Sequence, residues 1–187
     1  MYSGFRAASI LVLAACTLAM PDTAGSGPAD RIDEPPAQRT FLSANGEKYR
    51  LLINTVAHRA EAVLQIHTSS AESQILWTKT LPHAFGPRSV IVGARGNVLL
   101  LDEWIKVVGD YAAMLIDVSG EVVASHSFHD IVAATGGNHT PIIQKSGLSA
   151  WMAGPPALSN DGRFVVVATG DTRIRISLDD GSLHEEP

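Results

Sequence analysis

Nine runs of six to eight residues, rich in Val, Ile and Leu, recur between turn-forming residues from position 49 onward. They are 49–56 (YRLLINTV), 61–68 (EAVLQIHT), 73–79 (SQILWTK), 89–94 (SVIVGA), 97–104 (NVLLLDEW), 112–118 (AAMLIDV), 121–128 (EVVASHSF), 163–170 (RFVVVATG) and 172–179 (TRIRISLD). Runs this short cannot bury a helical face of ordinary length, but they match strands. In 172–178 the period is two: Ile174, Ile176 and Leu178 share one face, Arg173, Arg175 and Ser177 the other. This alternation places the aliphatics in a core and the arginines in solvent. The expected fold is all-β, with antiparallel strands in repeated meanders.

The joints agree. Ser119-Gly120, Asn160-Asp161-Gly162, Asp179-Asp180-Gly181 and the 94–97 stretch ARGN carry residues suited to the positive φ angles of tight turns. These turns lack the spaced oxygen ligands of a calcium loop. Residues 89–128 group into four strands, 49–79 into three, and 163–185 into two or three with 157–160 leading in. A four-stranded module of about forty residues resembles a β-propeller blade. The Trp-Asp blade ending does not occur, and about three and a half modules fit. A partial propeller, an open stack of blade-like sheets, a sandwich or a barrel all satisfy the pattern. The segment 129–162 breaks the rhythm, with one short strand expected at 141–144 and a turn at 154–156.

The N-terminal end reads differently. Residues 7–15, AASILVLAA, are apolar or small and too few to span a bilayer, which takes about twenty. That length matches the central region of a secretory signal. The run ends in Leu13-Ala14-Ala15-Cys16, and Cys16 is the only cysteine in the chain. The segment resembles a bacterial lipoprotein signal peptide over its first 16–20 residues, with 1–15 as the leader. The resemblance implies a diacylglyceryl group on the Cys16 sulfur, cleavage before it, acylation of the new amine and a membrane partner through the lipid. Thr17 stands where an aspartate often marks inner-membrane retention, so the resemblance leans toward the outer membrane, facing the periplasm. Two other readings stay open: simple secretion with cleavage after Ala19, and a buried structural cysteine. Residues 16–40 carry the lipidated cysteine and then a stretch rich in Pro, Gly, Ala, Ser and Asp, the composition of a flexible tether. The globular domain is expected over 41–187.

Composition narrows the function. A chain of 187 residues, 45% hydrophobic, can bury one sizeable core. Its net charge is −5, with 14 basic and 19 acidic residues; removing the leader takes Arg6 and leaves about −6. The basic residues are scattered, which gives no support to nucleic-acid binding. One cysteine allows neither an internal disulfide nor a cysteine-built zinc site. No nucleophile elbow, phosphate loop or His-Glu-x-x-His helix occurs, and no cofactor is implied.

Two groups of residues invite a site. His126, His129, Asp130 and, nine residues on, His139 could gather around a metal or a water if the chain bends. The competing reading is a strand end with surface histidines. Asp102-Glu103-Trp104 is the second group. Adjacent carboxylates on a strand face opposite ways and so do not pair, but Glu103 beside Trp104 could recognise a sugar or a peptide. The function expected is a lipid-tethered, non-catalytic β domain for binding or envelope organisation, with an envelope protein or glycan as partner. The alternative is an envelope hydrolase or metal-dependent enzyme using residues 126–139. A structural partner in an envelope complex would instead show an exposed apolar patch around Trp77, Trp104 or Trp151.

Overall fold

Three meanders of four antiparallel strands follow one another along the chain. The structure, a computed structural model, describes residues 34–44, 48–67, 73–105, 109–137 and 151–186. The first sheet runs β1 (Gln38–Leu42), β2 (Tyr49–Val56), β3 (Arg59–His67) and β4 (Ser73–Thr80). The middle sheet runs β5 (Pro87–Val92), β6 (Val98–Glu103), β7 (Ala113–Ile116) and β8 (Val122–His126). A short helix, α1 (Phe128–Ala134), follows. The third sheet runs β9 (Ala157–Leu158), β10 (Phe164–Thr169), β11 (Thr172–Ser177) and β12 (Leu183–Glu186). The chain is all-β in class, and among the described residues no sheet is closed into a barrel or a propeller.

The two inner strands of the middle sheet, β6 and β7, are buried on both faces, and their sequence explains how. Along β6, Leu99 and Leu101 join Ala113 and Leu115 of β7 in a core with Val165, Val167, Ile174 and Ile176 of the third sheet. The intervening Val98 and Leu100 join Met114 and Ile116 in a second core with Leu51, Ile53, Leu64 and Trp77 of the first sheet. Successive strand residues point to opposite faces, so only an unbroken apolar run fills two cores at once. All of β7 and all of β6 except Glu103 are buried. The flanking sheets bury one face each. β2 alternates buried with half-buried residues from Tyr49 to Ile53, and β11 buries Ile174 and Ile176.

The expected strands are present, with shifted ends. β1 lies outside the expected runs and opens inside the stretch read as tether. It pairs with β2 from Gln38↔Asn54 to Leu42↔Arg50. The run expected to end at Phe128 stops at His126, because Ser127 caps α1. Its hydroxyl accepts from the Asp130 N–H, while the Asp130 carboxylate accepts from the Ser127 N–H and hydroxyl. Of the face expected in solvent, Arg173 is exposed, but Arg175 lies over the Phe164 ring at 4.1 Å. Ser177 is buried, its hydroxyl accepting from the N–H groups of Asp179 and Asp180 in the turn. The strand expected at 141–144, Cys16 and the leader lie outside the described residues.

Turns tie the sheets together where two backbones meet closely. Gly181, at φ +75°, leaves no room for a side chain: an added Cβ would fall 2.3 Å from the Ala124 Cβ on β8. The β11–β12 turn can therefore pack directly on the middle sheet. A less favourable joint is the β2–β3 hairpin. Its two loop residues, Ala57 and His58, have φ angles of 47° and 64° without being Asn or Gly. The His58 ring stands 4.5 Å from the Phe85 ring, centroid to centroid.

Truncating either face of β6 is expected to be costly. Leu99→Ala and Leu100→Ala should each destabilise by about 2–5 kcal/mol in urea unfolding, whereas Val122→Ala at an exposed position should cost about 0.5 kcal/mol or less. Equal small effects at all three positions would contradict two-sided burial. Combining Ala57→Asn with His58→Gly in the hairpin should raise stability by about 1 kcal/mol, read in the same titration.

Candidate functional site

In the histidine region, His126 and Asp130 take part in structural hydrogen bonds. His126 ends β8, and its Nε2 donates to the Gly181 carbonyl oxygen at 2.7 Å. It thereby locks the middle sheet to the β11–β12 turn. His129 is exposed on α1, beside Phe128 with ring centroids 6.2 Å apart. Asp130 serves the helix cap. Hydrogen bonds from the Ser127 hydroxyl and N–H hold its carboxyl below the usual carboxylate range. His139 lies outside the described residues. Among the described residues, no three His, Cys, Asp or Glu side chains gather so as to hold a metal. Trp77 and Trp151 are buried, at 8% and 1% exposure, so neither centres a surface patch. They are core side chains of the two clusters.

A more organised group forms where β1, β5 and the end of β6 meet. Arg39 leaves the inner face of β1 and crosses to the middle sheet. Its Nη1 donates to the Pro87 carbonyl oxygen at 2.7 Å, and its guanidinium lies 4.9 Å from the Trp104 ring centroid. Burial lowers the Arg39 pKa, and the aromatic face and the carbonyl offset part of that desolvation. Gly86 makes the approach possible. It adopts φ +80°, and a Cβ there would come within 2.6 Å of Arg39 Nη2. The Trp104 N–H donates to the Gly86 carbonyl at 3.2 Å, extending the β5–β6 pairing past the strand end.

The two carboxylates of this group do not follow strand alternation. Asp102 sits at φ +60°, an uncommon backbone for any residue but glycine and less so for aspartate. It still donates its N–H to Ala112 across the ladder, and its own Oδ1 accepts from the Glu103 N–H at 3.0 Å. Asp102 is buried, with Oδ2 3.7 Å from Arg88 Nη1. Both carboxylates border one tight crevice with Tyr111, Phe128 and Trp151 that has no room for water. Burial, and then the Asp102 charge, push the Glu103 carboxyl up to about 7. Asp102 departs from regular strand geometry at this point, and its charge adds to the rise at Glu103.

His83 belongs to the same region and carries no sequence signal beyond its type. It is fully buried in the β4–β5 connection, its ring 5.7 Å from that of Tyr111. Its Nε2 lies 3.2 Å from the Tyr111 carbonyl oxygen, so Nε2 carries the hydrogen of a neutral ring. Burial lowers its pKa to about 4, with the Arg39 charge adding to the effect and the Tyr111 contact opposing it.

Beside this group opens a cleft of about 450 Å³. Arg88, Ser89, Trp104 and residues 152–155 (MAGP) line it. Glu103 is not part of that lining and borders the separate, tight crevice. No model of a known protein family matches the sequence, and no curated protein is similar to it.

The raised Glu103 pKa has a consequence for stability. Its protonated form is favoured in the folded protein, so its contribution is full below the ordinary value of 4.5 and is lost as pH climbs through about 7. Glu103→Gln should therefore lose less melting temperature than the parent between pH 5 and pH 8. Parallel melting curves at the two pH values, with equal losses for both proteins, would contradict the assignment.

Proposed function

We propose that this chain is a lipid-anchored protein of the bacterial cell envelope whose β domain binds a ligand without transforming it. The observation that carries the binding half is the open cleft beside Arg88 and Trp104. It presents a cation and an aromatic ring, groups that recognise, in a volume within the range of about 300–1,000 Å³ common to small-molecule sites. Glu103, whose carboxyl is raised toward neutrality, borders the tight crevice instead. A proton donor acts on a substrate within hydrogen-bond reach, and the cleft lining does not include it.

The anchoring half rests on Leu13-Ala14-Ala15-Cys16 and on the tether-like composition that follows. Two or three acyl chains on Cys16 would hold the domain stably at a membrane, each buried methylene adding about 0.8 kcal/mol. Thr17 favours the outer membrane with the domain in the periplasm. At finer resolution we read the three sheets as consecutive blades of a partial propeller. The supporting features are the repeated four-stranded meander and the parallel bridge Ser43↔Val92, which brings the end of β1 beside β5.

Mass spectrometry of the full-length product from bacteria tests the anchor. The expected species lacks 15 residues and carries a diacylglyceryl mass on Cys16. An unmodified Cys16, or cleavage after Ala19, would sink it. Cys16→Ser should leave the membrane fraction after a high-salt wash, and its retention there would count equally against the lipid.

A further inference from the structure

We infer that the cleft between Arg88, Trp104 and residues 152–155 is a binding site for an acidic sugar, an inference that rests on reading the domain as a binding module. Three features of the cleft point to that ligand.

The first is a partly exposed cation. Arg88 Nη1 is buried against Asp102 Oδ2 at 3.7 Å, beyond hydrogen-bond reach. The side chain as a whole is 35% exposed and lines the cleft. With Nη1 held inward, the remaining guanidinium N–H groups can meet a carboxylate on a ligand.

The second is a flat surface held rigid. The Trp104 ring is stacked on Arg39, which is itself fixed by the Pro87 carbonyl. The Trp104 backbone is tied to Gly86 by a hydrogen bond from its N–H to the Gly86 carbonyl. A braced aromatic ring gives an apolar sugar face a platform at little cost in side-chain entropy. In the same lining, Ala153 and Gly154 carry almost no side chain, and the Ser89 hydroxyl can exchange hydrogen bonds with ring substituents.

The third feature disfavours an extended peptide. A peptide joining the β5 edge would need free backbone donors and acceptors at this end of the strand. Pro87 has no N–H, its carbonyl is taken by Arg39, and the Gly86 carbonyl is taken by Trp104. Recognition at this end of β5 therefore falls to side chains.

The test is calorimetric titration of the full-length protein in detergent with D-galacturonate, with D-galactose as the uncharged match and an Ala-Asp dipeptide as a peptide acid. Galacturonate should bind saturably and about tenfold more tightly than galactose, the scale of one charge-assisted contact. Arg88→Gln should remove that preference while leaving weak binding of both sugars. Trp104→Ala should weaken both sugars together. Since Trp104→Ala also removes the support of Arg39, its fold is checked by circular dichroism, and Trp104→Phe, which keeps a ring, should restore most of the binding. No binding of galacturonate, equal binding of the two sugars, an Arg88→Gln variant that keeps the preference, or tighter binding of the dipeptide would each overturn the inference. None of these outcomes bears on the lipid anchor, which mass spectrometry decides separately.

Discussion

Everything in this domain hangs on the burial of one sheet from both sides. β6 and β7 supply side chains alternately to two cores, one shared with each flanking sheet. The hydrophobic contribution scales with apolar area removed from water, so a strand covered on both faces contributes about twice what a half-covered one does. This is also why the outer strands can be modest in composition. β4 of the first sheet has a single buried residue, Trp77, and β8 of the middle sheet has none, yet both close a meander whose inner strands are held by the stack.

Apolar stacking is not selective about register, and polar contacts supply the selection. Arg39 joins the first sheet to the middle one through the Pro87 carbonyl and the Trp104 ring. His126 joins the middle sheet to the third through the Gly181 carbonyl. Each is one side chain crossing between sheets to a defined backbone oxygen, and each depends on a glycine that lets backbone and side chain approach. Burying such groups costs desolvation, which only their partners offset. At the end of the stack where Arg39, His83, Asp102 and Glu103 gather, burial accordingly lowers the His83 pKa and raises that of Glu103.

Much of the strand pattern is legible in the sequence. All nine apolar runs contain strands, and the turn residues between them mark real hairpins, because period two and tight-turn chemistry are local properties. What escapes such reading has physical reasons. β1 offers only Phe41 and Leu42 as large apolar residues, since it is an edge strand whose inner face carries Arg39. α1 is hidden by the strand-like run before it, although Ser127 and Asp130, three apart, form the kind of capping pair that announces a helix. Glu103 and Trp104 stand out in the sequence as candidates for recognition, and the structure places Trp104 at the cleft and Glu103 at the separate crevice. Arg39, His83 and Arg88 do not stand out, because nothing in their neighbours along the chain marks them.

The sequence by itself determined the class of the domain, its strand-length units and their turns, and it carries the lipobox-like Leu13–Cys16 that motivates an envelope address. These are readings over a few adjacent residues, where backbone periodicity and turn geometry act. Only the tertiary structure decided which residues meet. It gave His126 and Asp130 to architecture, placed Trp77 and Trp151 in cores, and turned Asp102 into a left-handed residue that couples to Glu103. It also brought Arg39 from the first sheet against Trp104 of the middle one, 65 positions along the chain. Contacts at such separation are set by how sheets stack, and stacking depends on the summed burial of both faces rather than on any local pattern.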